Sequence, residues 1–183
     1  MHPRGGIRTQ GVDGGGVTRP AALICFLSLC MAACVPFFGS KKNAQARLEG
    51  RYTTQHPGEH WGSVDPGGAD RAWWHDVTGA TLYTDSNCGK SYSDSSLSRL
   101  ASAQAEAIDD AILEESKEFR LVGRAAYVAK YGGQVDGVAV TVTTTVVKKR
   151  KCIYDFVLIA PVRDNEQVHQ DYDALVASFR IKK

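Results

Sequence analysis

The sequence contains none of the short patterns that most directly indicate an enzyme. G-x-S-x-G, which places a serine nucleophile on a tight turn, is absent, and so is the phosphate-binding pattern G-x-x-x-x-G-K-[ST]. The cysteines never occur as C-x-x-C, the arrangement that activates a thiol for disulfide exchange. The sequence therefore predicts no catalytic residue and no cofactor.

The chain also lacks a strong charge imbalance. Three of its 22 lysines and arginines and one of its 20 acidic residues precede Cys34, so the remainder of the chain is formally neutral. A neutral chain gives no indication of nucleic acid or another polyanion as a partner. Residues 34–183 have the size of one globular domain with a single core.

An apolar run near the N-terminus is too short to span a bilayer. The run Ala21–Ala33 holds thirteen uncharged residues after Arg19. As a helix it would be ~20 Å long, whereas the hydrocarbon core of a bilayer is ~30 Å thick. This length fits the apolar region of an export signal. The glycine-rich residues before it are unusual in such a signal, so we also expect translation to start at Val17.

The end of this run carries a recognisable pattern. Met31-Ala32-Ala33-Cys34 resembles the lipobox of bacterial lipoproteins. The resemblance implies that residues 1–33 are a signal peptide and that Cys34 carries a lipid anchor containing chains such as palmitate. It also implies a place in the cell envelope, and Val35 in place of aspartate implies the periplasmic face of the outer membrane. The alternatives are a core helix, or an ordinary secretory signal followed by a chance cysteine.

Two further cysteines lie beyond this anchor. If the protein is exported, Cys88 and Cys152 lie in a compartment where disulfides can form. A bond between them would close a loop of about 65 residues. The sequence predicts this disulfide, with two free buried thiols as the alternative.

Residues 34–71 are expected to form the lipid anchor and a flexible tether. They contain Pro36, Pro57 and Pro66 and show no sustained apolar period. Residues 56–60 (HPGEH) spell H-x-x-E-H, a pattern that binds zinc when a helix places both imidazoles on one face. Since proline followed by glycine disfavours that helix, we interpret the histidines as incidental and predict no metal site.

Residues 72–183 carry the periodic patterns of an α+β domain. Hairpin-length connections and the order ββαββββα predict an antiparallel sheet of about six strands with helices packed on it, an α/β/α sandwich. The strands are expected at 73–77, 80–84, 114–122, 124–131, 138–147 and 152–160, and the helices at 95–112 and 165–179.

Three segments of this domain carry a family resemblance. GRAAYVAK at 123–130, CIYDFVLIAP at 152–161 and DYDALVASF at 171–179 resemble uncharacterised lipoproteins of delta-proteobacterial type. More distantly, residues 72–181 are similar to the α/β/α sandwich of the photosystem subunit PsbP and the Mog-type Ran-binding proteins. The resemblance implies a binding, assembly or chaperone module and brings no catalytic residues with it.

One candidate ligand or partner surface is aromatic. Trp73, Trp74 and His75 are consecutive, and aromatic side chains around a polar tip can line a ligand cleft. The alternative is a hairpin that packs its tryptophans into the core.

A second candidate surface is basic. Lys148, Lys149, Arg150 and Lys151 connect two predicted strands and form either a solvated turn or a contact with anionic lipid or polysaccharide.

The function expected from these features is a non-catalytic binding or assembly module that recruits an envelope protein partner at the membrane. The alternative is an envelope hydrolase with a dispersed active site. A deep cleft with clustered, perturbed titratable groups would favour the enzyme, and a shallow apolar surface would favour the binding module.

Overall fold

The computed structural model of the chain describes residues 52–88, 95–149, 151–163 and 166–182. Its strands are β1 (Tyr52–Thr53), β2 (Trp61–Val64), β3 (Arg71–His75), β4 (Thr81–Cys88), β5 (Asp109–Leu121), β6 (Arg124–Val135), β7 (Val138–Lys149), β8 (Cys152–Pro161) and β9 (Arg180–Ile181), and its helices are α1 (Leu97–Gln104) and α2 (Glu166–Ala177).

Seven of these strands form one antiparallel sheet in the order β2-β3-β4-β8-β7-β6-β5. The remaining two, β1 and β9, pair with each other. The predicted α+β class and antiparallel sheet are confirmed. The main sheet has seven strands rather than about six because β2, which the sequence did not predict, extends it by one.

The helices cover opposite faces of this sheet. Alternate residues of β8 point to opposite faces, and Phe156 and Leu158 share a core with α2, whereas Ile153 and Val157 share a second core with α1. Because both faces of β8 are buried, its sequence is almost continuously apolar, as expected for a central strand. The three-layer sandwich predicted from the sequence is therefore confirmed.

Residues 52–71, which were expected to belong to the tether, are part of this sandwich. Tyr52 is fully buried, and its hydroxyl is 2.8 Å from the hydroxyl of Thr84. Trp61 is also buried, and its indole N–H donates to the Asp171 carboxylate at 2.8 Å. The tether prediction was wrong for these residues because strands of two and four residues are too short to show a period.

The first helix is shorter than expected. A single helix to Ile112 was predicted, but α1 ends at Gln104 and a 3-10 turn over Ala105–Ala107 leads into β5. The apolar spacing continues across this break because Ile108 is buried against the same core as α1, although its own backbone is extended. Ile112 belongs to β5 and is 69% exposed.

A disulfide joins Cys88 at the end of β4 to Cys152 at the start of β8. The two residues are directly opposite each other on neighbouring strands and 64 residues apart in sequence. The bond therefore closes the whole segment that contains α1 and the β5, β6 and β7 strands.

Candidate functional site

An open groove runs between α2 and the far strands of the main sheet, and we call it the α2 groove. Its volume is 290 Å³. On the β5 side of this face the sheet is incompletely covered, because Phe119, Leu121 and Val128 are only partly buried. The groove is lined by Lys117, Phe119, Leu121, Val128, Thr145, Asp173, Val176 and Ala177.

Strand register places the floor of the groove in rows. Lys117, Val128 and Thr145 are direct neighbours across β5, β6 and β7. Two residues further towards the C-terminal end of β5, Phe119 lies opposite Ala126, which is fully buried. The floor at this end is therefore apolar.

A hydrogen-bonded pair holds the wall of the groove against its floor. The Tyr172 hydroxyl of α2 donates to the Thr145 hydroxyl at 2.8 Å and also lies 3.1 Å from the Phe156 carbonyl oxygen. Both side chains are almost completely buried. Since buried polar groups need such partners, this pair sets the distance between α2 and the sheet at the groove.

Two buried side-chain atoms on the α2 side of the sheet have no hydrogen-bond partner in the part of the chain that the structure describes, and neither belongs to a residue that lines the groove. These are the Thr143 hydroxyl and Nε2 of His169. Thr143 is next to Thr145 on the same face of β7 and lies opposite Lys130. His169 precedes Asp173 by one helical turn, and burial first, then the Lys130 charge, lowers its pKa.

A second surface is the free edge of the sheet at β5, which we call the β5 edge. Strand β5 is the last in the sheet order and pairs only with β6 among the described strands. Ten of its residues are exposed in an unbroken run from Asp109 to Glu118, and Ile112 and Leu113 are 69% and 51% exposed. The edge is acidic, because Asp109, Asp110, Glu114, Glu115 and Glu118 outnumber Lys117 and Arg120.

The predicted aromatic surface is mostly buried. Trp73 and His75 are 4% exposed and pack in or beside the core, so their side chains present no surface to a ligand. Nδ1 of His75 accepts a hydrogen bond from the Thr78 amide at 3.2 Å, which leaves the ring proton of a neutral imidazole on Nε2. Trp74 points to the opposite face of β3 and is 45% exposed.

The predicted basic surface lies at the other end of the sheet. Lys149 pairs with Cys152, next to the disulfide, whereas Trp74 pairs with Thr81 at the start of β4. Lys148 is half-buried, and its ammonium group donates to the Ser95 carbonyl oxygen at 2.9 Å. Lys151 is exposed, and Arg150 lies outside the described residues. The structure does not bring the two predicted surfaces together.

The histidines of the H-x-x-E-H pattern lie in the loop before β2. The His56 ring meets Trp73 edge-on at 6.1 Å, and Nδ1 of His60 is 3.2 Å from the Asp76 carboxylate. Within the described ranges no group of three or more histidine, cysteine, aspartate or glutamate residues could hold a metal ion.

Cys34 and the predicted signal peptide lie outside the described residues, so lipidation stays a prediction. Within the part of the chain that is described, no helix has both the length and the apolar character needed to cross a membrane.

Sequence reasoning missed the α2 groove, although one signal for it was present. The alternation of Lys117, Phe119 and Leu121 places one charged and two apolar side chains on the same face of β5. That pattern predicts a half-covered strand, but it does not show that α2 ends beside it.

The fold is shared with solved structures at low sequence identity. The solution structure of cyanobacterial PsbP (CyanoP) from Synechocystis sp. PCC 6803 has a TM-score of 0.53 and 16% identity, over 83% of this chain and 99% of that one. The crystal structure of LpqN, which is involved in cell envelope biogenesis of Mycobacterium tuberculosis, has a TM-score of 0.52 and 10% identity, over 72% of this chain and 83% of that one.

A crystal structure from Bacteroides thetaiotaomicron VPI-5482 has a TM-score of 0.50 and 11% identity, over 74% of this chain and 50% of that one. No protein-family model matches the sequence, and neither does any curated protein. At these identities the likeness shows the fold alone, and it confirms the predicted PsbP-like sandwich.

Proposed function

We propose that this protein is a non-catalytic binding module that a lipidated Cys34 holds on the periplasmic face of the outer membrane. The Met31-Ala32-Ala33-Cys34 pattern supports the anchor. The Cys88–Cys152 disulfide supports export, because disulfides persist mainly in oxidising compartments. The fold likeness to LpqN, a protein involved in cell envelope biogenesis, is consistent with the same location.

The observation that carries the binding role is the β5 edge. An edge strand has a row of backbone N–H and C=O groups that a further strand can pair with. Here the strand has thirteen residues, and the apolar side chains of Ile112 and Leu113 are exposed beside that row. A partner strand would therefore gain both backbone hydrogen bonds and apolar contacts.

The charge of the β5 edge indicates the chemistry of the partner. Its five carboxylates against two cations favour an extended basic segment of an envelope protein. Acidic side chains on an edge also oppose pairing with a second copy of the same acidic strand. The partner is thus a different protein rather than another copy of this chain.

No specific observation in the described residues favours a hydrolase. The α2 groove is open and mainly apolar, which is the shallow surface expected of a binding module. The strongly perturbed carboxyl group of Asp155 points to the α1 side of the sheet, whereas the groove is on the α2 side.

Site-specific photo-crosslinking in the native cell tests the partner. A photo-reactive residue at Leu113 should give one discrete protein adduct, and the same residue at Val77, which is 71% exposed in the turn before β4, should not. The double change Glu115→Lys and Glu118→Lys should remove the Leu113 adduct. The proposal is wrong if both positions give the same adducts or if the charge reversal leaves the adduct unchanged.

Metabolic labelling tests the anchor separately. Radioactive palmitate should label the wild-type chain and should not label Cys34→Ala, which should leave the membrane fraction. Equal labelling of the two chains would disprove lipidation at Cys34.

A further inference from the structure

We propose that one end of the main sheet, which we call the basic end, binds the anionic headgroups of the membrane that carries the Cys34 anchor, with Val122 inserted among them. The basic end is formed by the β5–β6 turn, the β7–β8 turn and the neighbouring strand β9. The inference rests on the proposed function for the anchor alone, and it assigns a surface separate from the acidic part of the β5 edge.

Strand register brings the basic residues of two turns together at this end. Ala126 of β6 pairs with Val147 of β7, so Arg124 and Lys149, two residues further on each strand, end beside each other. Lys149 lies opposite Cys152 at the start of β8, which places the β7–β8 turn next to the β5–β6 turn. The described basic residues of the basic end, including those of β9 and its end, are Arg120, Arg124, Lys148, Lys149, Lys151, Arg180 and Lys182.

The chain that leads back to Cys34 joins the domain at the same end. Tyr52 is the first described residue, and its ring meets the ring of Tyr154 edge-on at 5.6 Å. Tyr154 is two residues from the start of β8. Because Tyr52 pairs with Ile181, strand β9 lies there as well. The predicted anchor segment therefore enters the domain at its basic end.

Acidic residues are concentrated at the opposite end of the sheet. The exposed carboxylates there, against the single charge of Arg163, are Asp76, Asp109, Asp110, Asp136 and Glu166. Near the basic end, two of the described acidic side chains are exposed, Glu118 on β5 and Asp65 beyond β3 and β4, against seven basic residues. An anionic surface would therefore attract one end of the sheet and repel the other, although the chain beyond Cys34 is formally neutral.

Several cations of the basic end have no acidic partner in the described ranges. Arg124, Lys149 and Lys151 form no ion pair there. The guanidinium groups of Arg120 and Arg180 donate to backbone carbonyl oxygens, which leaves their charge uncompensated. Lipid phosphates would supply the missing negative charge through charge-assisted hydrogen bonds.

The β5–β6 turn also exposes an apolar side chain between two arginines. Val122 is 40% exposed, and its φ is +45°. A β-branched residue adopts this left-handed conformation only at a cost, whereas asparagine adopts it more readily. An apolar tip flanked by Arg120 and Arg124 fits a membrane interface, because long basic side chains can reach phosphates while an apolar neighbour is buried.

Vesicle co-sedimentation of the full chain carrying Cys34→Ala, which removes the anchor, tests the inference. Vesicles of phosphatidylcholine alone are compared with vesicles in which a third of the lipid is phosphatidylglycerol. We expect tighter binding to the anionic vesicles, and we expect this preference to fall as added salt screens the charges. Equal binding to the two kinds of vesicle would overturn the inference.

A matched pair of double variants locates the surface. Arg124→Gln with Lys151→Gln removes two exposed cations from the basic end, and Lys117→Gln with Arg163→Gln removes two exposed cations elsewhere. At about fivefold for each basic residue at an anionic surface, the first variant should bind anionic vesicles roughly 25-fold more weakly. The second should bind like the parent chain, and both should keep its melting temperature. Equal losses from the two variants would contradict the inference.

A second matched pair tests the tip of the β5–β6 turn. Val122→Asn should raise the melting temperature, because it relieves the left-handed valine, and should still weaken binding to anionic vesicles severalfold. Val77→Asn changes a valine that is 71% exposed in the turn before β4, at the opposite end, and should leave binding unchanged. Undiminished binding by Val122→Asn would contradict the insertion of the tip.

Dextran sulfate, a soluble anionic polysaccharide, separates lipid from polysaccharide as the ligand. Tighter binding to dextran sulfate than to anionic vesicles, lost in the same Arg124→Gln and Lys151→Gln variant, would assign the basic end to polysaccharide and overturn the inference. None of these results would affect the Leu113 crosslink or the Cys34 labelling, so the proposed function is tested independently.

Discussion

Asp85 and Asp155 lie directly opposite each other on β4 and β8, in the interior of the sheet. Burial, and then the negative charge of Asp85, raises the pKa of Asp155 to about 7. One oxygen of the Asp155 carboxyl group has no hydrogen-bond partner within the described residues. The sheet therefore favours the protonated form of this side chain.

This pair predicts a dependence of stability on pH. Asp155 in the unfolded chain titrates near pH 4, so between about pH 4 and 7 the folded state binds more protons and stability falls as the pH rises. Asp155→Asn removes the penalty and should raise the free energy of unfolding at pH 8 by on the order of a few kcal/mol relative to wild type. The difference should be much smaller at pH 4.

Urea denaturation of both chains at pH 4 and pH 8 measures the difference. Parallel behaviour of wild type and Asp155→Asn across this window would contradict the assignment.

The domain should require residues 52–71. A chain beginning at Ala72 lacks Tyr52 and Trp61, each of which contributes about 1.5–3 kcal/mol when fully buried. It would also expose Phe179, whose ring packs against that of Tyr52 at 5.7 Å. Thermal unfolding followed by circular dichroism should be cooperative for a chain beginning at Arg51 and weak or absent for one beginning at Ala72. Identical melting curves would restore the tether interpretation.

Gly133 should tolerate no side chain. A β-carbon there would lie 2.7 Å from the Asp109 carbonyl oxygen, a backbone atom that cannot rotate away. Gly133→Ala should therefore destabilise the domain by about 1–3 kcal/mol. Gly132→Ala is the matched control, because its β-carbon meets only the flexible Glu114 carboxylate. Equal free energies of unfolding for the two variants would show that β5 leaves room for a β-carbon at Gly133.

Removal of the disulfide should lower stability without changing the fold. The bond between Cys88 and Cys152 closes a loop in the unfolded chain. In the chain-entropy model this closure raises the free energy of unfolding by about 4 kcal/mol. The variant Cys88→Ser/Cys152→Ser should unfold at a lower urea concentration and keep the far-ultraviolet circular dichroism of the wild type. Mass spectrometry of the unreduced wild-type chain should find no free thiol at these two positions, and finding two would disprove the bond.

The central strands could be predicted from the sequence because their environment is uniform. β8 is almost continuously apolar because both of its faces are buried, and β7 alternates valine with threonine over part of its length. Each of these patterns is recognisable in the sequence. β2 could not be predicted, since only Trp61 of its four residues is buried. That one buried side chain bonds to Asp171, which is 110 residues away, so no local pattern in the sequence marks the strand.

The candidate surfaces were harder to predict for a related reason. Adjacent residues on a strand point to opposite faces of the sheet, so Trp73 and Trp74 cannot lie on the same face. Which of them faces the core depends on where α2 packs, and the sequence does not contain that information locally. The α2 groove likewise depends on the end of α2 relative to β5 and not on any one segment.

The pairing of β1 with β9 brings the two ends of the domain together, with Tyr52 beside Ile181. A linker joining these ends would need to bridge only one interstrand spacing, about 5 Å. The chain could then be reopened at the Val122–Gly123 turn, giving a circular permutant with the same sheet but with new termini beside the β5 edge.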